Sequence, residues 1–421
     1  MKATLVINNI DNLITLRGEN KARTLEDMKD VGSIKNGIIA LKGEKIIYVG
    51  EGELPSSIRI DENTVILCGK GKTVTPGLID SHTHLVHGGS RENELAMKLK
   101  GIPYLDILAA GGGIHSTVRA TKEATFEELY YKAKKSLDIM LSYGVTTVEA
   151  KSGYGIDDFS TELKQLEVAK KLNEDHPVDI ISTFMGAHAI PSKYKNNPDV
   201  FVDIIVEDMI PKVAERNLAK FCDVFCEEGV FSIDQSRRIL QAAKEYGMGL
   251  KLHADEIKPL GGAELAAELN CTSADHLIAA SDKGIKEMAK KGVIANLLPG
   301  TSFNLQIGKY ARARKILEEG VPIALSTDYN PGSCPTENLQ LIMSFASLIM
   351  KLTPEEVITA VTINGAASLG LEDKVGSLEM DKLGDIVIFD APNLEYIIYH
   401  FGINHVETVI KEGKVVYEKK L

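Results

Sequence analysis

The chain has 421 residues, 44% of them hydrophobic and 25% charged, with a formal net charge of −11. That length suits one large barrel plus a smaller domain, and the composition supplies a real apolar core. The acidic balance and the lack of any basic run argue against nucleic acid as a partner, and no apolar run approaches the ~20 residues that span a bilayer.

Residues 4–10, 37–41 and 45–49 are short β-rich runs with turn residues between them. A strand at 78–85 opens the middle of the chain. A helix follows at 125–143, started by a capping box of Thr125 and Glu128 and stopped by Gly144. Strands at 146–150, 180–184 and 223–225 come next. Ser232 with Gln235 opens another helix, which ends at Gly247 before a strand at 250–253. A sixth strand fits 274–278. Gly292 and Gly320 end helices directly ahead of strands at 293–298 and 322–326. Thr353-Pro354-Glu355-Glu356 opens a further helix, with proline in its first turn. Residues 385–389, 408–410 and 414–417 are again short and β-rich.

The eight middle strands are mostly apolar runs without clean alternation, as strands covered on both faces are. They predict an α/β fold, a TIM-type (β/α)8 barrel. A doubly wound open sheet is the alternative, but no glycine-rich dinucleotide fingerprint follows the first strand. The two ends carry similar turns, Lys42-Gly43-Glu44 and Lys411-Glu412-Gly413. Neither end alone has enough strands for a stable sheet, so both termini are expected to build one small β-sandwich domain. The expected division is 1–66 and 379–421 for that domain and 67–378 for the barrel. The five cysteines, Cys68, Cys222, Cys226, Cys271 and Cys334, are few, odd in number and scattered. They read as reduced thiols, and with no targeting segment visible the expectation is a cytoplasmic protein. Cys222 and Cys226 lie in an apolar run and read as buried thiols rather than metal ligands.

In such a barrel, chemistry collects at the C-terminal ends of the strands. His82 and His84 end the first strand, two residues apart and so on one face. His188 follows the third strand, and His253 ends the fifth, ahead of Asp255 and Glu256. His276 ends the sixth after Asp275, and Asp328 ends the eighth. His82, His84, His253 and Asp328 make a three-histidine, one-carboxylate set suited to zinc, with water at the open position. Glu256 is placed for proton transfer, His276 for the nucleophile or the developing oxyanion, and Asp328 for the water's proton. Arg91, after the first strand, offers a bidentate fork for a substrate carboxylate. Tyr104, Ser152-Gly153-Tyr154-Gly155 and Asn330-Pro331-Gly332-Ser333 lie on loops of the same end and suit a small polar ligand. His87, His115, His176, His400 and His405 read as structural or exposed, with His115, beside Gly111-Gly112-Gly113, kept as a secondary candidate.

These residues resemble a known family. Residues 76–84, Pro-Gly-Leu-Ile-Asp-Ser-His-Thr-His, resemble the first-strand signature of the amidohydrolase superfamily. Gly88-Gly89-Ser90-Arg91-Glu92, Gly111-Gly112-Gly113-Ile114, Lys151-Ser152-Gly153-Tyr154-Gly155, Phe184-Met185-Gly186-Ala187-His188, His253-Ala254-Asp255-Glu256 and residues 327–333 together look like its imidazolonepropionase family, over nearly the whole chain. The resemblance implies hydrolysis of the cyclic amide C–N bond of 4-imidazolone-5-propanoate to N-formimidoyl-L-glutamate, a step of histidine degradation. It implies one zinc or iron ion per subunit on His82, His84, His253 and Asp328. It implies substrate contacts from Arg91, Tyr154, His188, Glu256, Asn330, Gly332 and Ser333, a small anionic substrate, and a homodimer. The propionate agrees with Arg91, the local cation that an acidic protein must supply to an anion.

Three other readings are weighed against this. A deaminase of the superfamily shares the His-x-x-Glu pattern after the fifth strand, but a neutral nucleobase needs no carboxylate clamp such as Arg91. The binuclear branch usually needs a carboxylated lysine at the fourth strand, where this chain has Cys226-Glu227-Glu228. A catalytically dead assembly protein would lose metal ligands, and this chain keeps the set.

Overall fold

The structure is a computed structural model that describes residues 1–101, 112–156 and 158–420. Its middle is an eight-stranded parallel sheet: Leu78–Asp80, Val145–Lys151, Asp179–Ala187, Phe221–Cys226, Gly249–Ala254, Ser273–His276, Ile294–Leu297 and Ile323–Leu325. Each strand pairs with the next in sequence. The ends meet just beyond the regular strands. Asp328 N donates to His82 O at 3.1 Å and His84 N to Tyr329 O at 2.8 Å. The first strand, expected over 78–85, is thus regular only to Asp80, and its continuation closes the ring against the eighth.

Local sequence explains the alternation. The capping boxes of Thr125 with Glu128, Ser232 with Gln235 and Thr353 with Glu356 are all formed. Gly144 and Gly247, at φ 91° and 78°, turn two helices into the strands that follow. Among the described residues, no helix is long and apolar enough to cross a membrane.

The termini form two further sheets. One joins Leu5–Ile10, Gly37–Lys42, Lys45–Glu51 and Val65–Cys68, and the other joins Asn12–Ile14, Ser33–Ile34, Thr73–Pro76, Ile386–Phe389, Val406–Lys411 and Lys414–Glu418. Leu5, Ile7, Leu41 and Ile46 of the first pack on Leu13, Val74, Ile386, Ile388 and Ile410 of the second. Thr73–Pro76 falls in a stretch that the sequence assigns to the barrel, but it pairs antiparallel with Ile386–Phe389. In sequence it runs into the first barrel strand with only Gly77 between, so no break announces the change of sheet. This continuity ties the terminal sheets to the strand that carries His82 and His84.

A second tie is ionic. Lys411 Nζ lies 2.7 Å from both Asp385, in the terminal domain, and Asp179, at the start of the third barrel strand. Lys411 and Asp385 are buried. Removing one partner of a buried pair leaves an uncompensated charge. Lys411→Met is expected to cost about 3 kcal/mol in urea denaturation, and adding Asp385→Asn should restore part of that loss. No loss from Lys411→Met would show that this bridge does not hold the two parts together.

Candidate active site

The ligand-type side chains expected at the strand ends meet at the C-terminal mouth of the barrel. His82 Nε2 lies 3.5 Å from Asp328 Oδ1, and His84 Nε2 lies 3.8 Å from the same oxygen. The His82 and His253 rings are 4.6 Å apart, and those of His253 and His276 5.2 Å apart. Donor atoms of His82, His84 and Asp328 lie within 4.8 Å of one another, as do those of His82, His253 and His276. All five side chains are buried. Yet His82 Nε2, His84 Nδ1 and His276 Nδ1 have no hydrogen-bond partner among the described residues, and buried polar atoms are ordinarily paired. The orphaned His82 Nε2, 3.5 Å from the Asp328 carboxylate and crowded by further imidazoles, fits a borderline-soft cation such as zinc or iron(II).

Charge and strain follow from this crowding. Burial, reinforced by nearby positive groups, holds His82, His84 and His276 well below the ordinary histidine range, so their rings are neutral and competent as ligands. Burial also opposes the charge on His253, but the Asp223 carboxylate outweighs it and raises this group. Burial pushes Asp328 up to about 6 despite the hydrogen bond from Thr301. Thr301 Oγ1 donates to Asp328 Oδ2 at 2.5 Å and Ser333 Oγ at 3.3 Å, leaving Oδ1 toward the histidines. Asp255, His276 and Asp328 take φ of 49°, 72° and 56°. Such backbone is costly for side-chain-bearing residues and is held by its surroundings at functional sites.

Two ligand-type rings are oriented from behind. His82 Nδ1 is 2.6 Å from Asp275 Oδ2, and His253 Nδ1 is 3.1 Å from Asp223 Oδ1. A carboxylate on Nδ1 fixes the tautomer that leaves Nε2 with its lone pair. His87, structural as expected, donates from Nδ1 to His84 O at 2.9 Å. Sequence reasoning passed over Asp223 and gave Asp275 no role. A lone carboxylate inside the apolar strand Phe221–Cys226 was the available signal.

The substrate-side residues surround this cluster. Arg91 Nε and Nη2 reach Glu94 Oε2 at 3.1 and 3.0 Å, while Glu94 Oε1 accepts from Gly113 N at 2.7 Å. The guanidinium lies so close to Gly332 that a Cβ there would sit 2.0 Å from Nη1. Position 332 therefore admits only glycine while Arg91 keeps this place. The His84 and His188 rings stack at 5.0 Å, with Tyr154 at 5.8 and 5.5 Å from them. His188 donates from Nδ1 to Gly153 O at 2.9 Å, and burial lowers it to about 4. Glu256 Oε2 is 3.7 Å from His276 Nε2, and burial pushes its carboxyl up to about 7.

Asn330 is different in kind. Its Nδ2 donates to Asp328 O and Ser333 Oγ, each at 2.7 Å, and its Oδ1 accepts from Gly332 N and Ser333 N, each at 2.8 Å. The amide is saturated within its own turn, so in this conformation neither it nor those two N–H groups is open to a ligand. Tyr104 lies outside the described residues. His115 lines a groove with Arg119 and Lys193. Cys222 and Cys226 are buried free thiols, as the sequence suggested.

A sequence profile described as the amidohydrolase family matches residues 73–416. Over 419 residues the chain is 61% identical to an imidazolonepropionase of Alkaliphilus metalliredigens and 62% to that of Alkaliphilus oremlandii, covering 100% of this chain and 99% of each relative. An imidazolonepropionase of Fusobacterium nucleatum is 54% identical, covering 100% of both chains. Among solved structures, an adenosine deaminase from Xanthomonas campestris with bound zinc aligns at a TM-score of 0.68 and 18% identity, over 98% of this chain and 93% of that one. A variant of atrazine chlorohydrolase from Arthrobacter aurescens, complexed with zinc and atraton, aligns at 0.69 and 18%, over 98% and 95%. At that identity the structural likeness shows the fold.

The raised carboxyl of Glu256 makes a stability prediction. Folding lifts it from an ordinary 4.5 to about 7, so the metal-free fold binds the extra proton between those values and loses stability as pH rises through them. Glu256→Gln removes that loss. In urea denaturation of metal-free protein it should add on the order of 2 kcal/mol at pH 8 and almost nothing at pH 4.5. Equal effects at both values would contradict the assignment.

Proposed function

The chain belongs to the amidohydrolase family, in its imidazolonepropionase branch, and from that premise we propose that the mouth built by His82, His84, His253 and Asp328 hydrolyses the cyclic amide C–N bond of 4-imidazolone-5-propanoate, giving N-formimidoyl-L-glutamate. The single observation that carries the substrate is identity above 60% to imidazolonepropionases over the full chain. Buried donor atoms crowded at the mouth support a metal there, while the ion's identity, the homodimer and the cytoplasmic setting are carried over from the resemblance. His82, His84, His253 and Asp328 would hold one zinc or iron ion per subunit of a cytoplasmic homodimer. The bound ion would supply a Lewis acid that makes water a nucleophile near neutral pH.

The protein's own groups then divide the work. Arg91, fixed by Glu94 against Gly332, holds the propionate. Tyr154 and His188 wall the ring on the His84 side. Asp328, with its carboxylate oriented by Thr301 and Ser333, takes the proton of the attacking water. His276 donates a hydrogen bond to the carbonyl oxygen as negative charge develops there. Glu256, with a carboxyl pushed up to about 7, is available in its protonated form near neutral pH to protonate the ring nitrogen as the C–N bond breaks. Asn330 shapes the turn that presents Gly332 and Ser333 on the substrate side.

The test is a direct assay with freshly generated 4-imidazolone-5-propanoate, run beside ammonia release from cytosine, guanine and adenine. Ring opening with no ammonia from the bases is expected. Metal-loaded protein that released ammonia from a base and left the imidazolone intact would replace this reading with a deaminase. Arg91→Met is expected to raise KM by about tenfold or more, the worth of a hydrogen-bonded charge pair, with a smaller change in kcat. An unchanged KM would remove Arg91 from the propionate.

A further inference from the structure

Beneath the histidines the barrel holds a set of charges that the mechanism does not use. Lys151, at the end of the second strand, is 1% exposed. Its Nζ lies 2.7 Å from Asp223 Oδ2, 2.9 Å from Glu149 Oε2 and 3.5 Å from Asp275 Oδ2. The same Asp275 oxygen meets His82 Nδ1, and the other oxygen of Asp223 accepts from His253. One ammonium thus sits behind both carboxylates that orient the two rings. Lys251 makes a natural comparison. It is equally buried, but its Nζ approaches Glu149 Oε1 at 3.2 Å and Ser81 O at 3.4 Å, with no ion pair to Asp223 or Asp275.

We propose that Lys151 is a positioning residue that couples His82 to His253. It anchors Asp223 and Asp275 at fixed distances from one Nζ, and through them sets where the two Nε2 atoms point. Asp275 also accepts from Ser273 Oγ at 2.7 Å and Asp223 from His253 N at 3.2 Å, but each of those bonds holds one carboxylate, whereas Lys151 holds both. Two carboxylates sharing one ammonium across three strands cannot move independently. Second partners of ligating histidines are typically worth roughly 10–100-fold in metal affinity, and a group that holds two of them at once should lie within that range.

The inference rests on the mouth being a metal site, and the experiment separates the two. Cobalt(II) is titrated into metal-free wild type, Lys151→Met and Lys251→Met against a chromophoric chelator, with the cobalt absorption spectrum recorded for each. Lys151→Met is expected to bind at least about tenfold more weakly, with an altered spectrum, while Lys251→Met stays within about threefold of wild type and keeps its spectrum. Lys151→Met with wild-type affinity and spectrum would overturn the proposal, as would an equal loss in Lys251→Met. Wild type that binds no cobalt would remove the metal site itself. If Lys151→Met does not fold, Asp223→Asn, Asp275→Asn and their double variant decide. Coupling through one ammonium predicts that their two losses fail to multiply, and losses that do multiply would overturn the proposal.

Discussion

Lys151 meets Glu149, Asp223 and Asp275 inside a barrel where none of the four is more than 1% exposed. An ion taken out of water costs several kcal/mol even after relaxation, and only close opposite charge offsets it. The interior of a (β/α)8 barrel is ordinarily filled with branched apolar side chains. Here Lys151, Lys251, Glu149, Asp223 and Asp275 replace them, joined by Ser81, Asn296 and Ser326 through hydrogen bonds of 2.9–3.4 Å. Lys151 and Glu149 share a strand, but their other partners, Asp223, Asp275 and Lys251, come from different strands, so the network holds only if the strand register is correct. The charges make the barrel specific as well as closed. They also leave three carboxylates against two ammonium groups under the histidine cluster, a balance that favours a cation at the mouth.

The same device recurs one level up, where the loops must stay still around a small ligand. Glu94 links Arg91 to Gly113. Glu162 accepts from Gly153 N and Gly155 N at 3.0 and 2.6 Å, and so fixes the loop that carries Tyr154. Glu227 accepts from Ile257 N and Lys258 N at 2.8 and 3.3 Å, and Asp255 takes the N–H groups of Gly261, Gly262 and Ala263, so the segment around Glu256 is held on both sides. A backbone N–H that meets a buried carboxylate makes a strong, charge-assisted bond. Loops tied this way can present catalytic groups without a helix or strand beneath each one.

Much of this was legible in the chain. Glycines after capped helices marked where strands begin, because the left-handed turn that ends a helix is written in one residue. The pair His82 and His84 declared its shared face through the two-residue period of a strand. The partners of Lys151 were not legible, because Asp223 and Asp275 become its neighbours only through lateral register, which no local pattern encodes. No local pattern singles out Glu94 or Glu227, because the amides they accept from are set by tertiary contacts. Asn330 is placed at the substrate by its loop, and the structure adds four hydrogen bonds that its amide makes within the turn, which the sequence does not announce. Thr73–Pro76 went to the barrel because its switch to the terminal sheet is decided by a strand more than 300 residues away in sequence.

The account centres on one cation held by His82, His84, His253 and Asp328 and required for opening a cyclic amide. Metal-free protein titrated with zinc or iron(II), with bound metal and loss of 4-imidazolone-5-propanoate measured on the same samples, tests that claim most directly. Activity should rise in proportion to bound metal and stop rising at one equivalent per chain. Full turnover without metal, a break at two equivalents, or one tightly bound ion with no ring opening would contradict it.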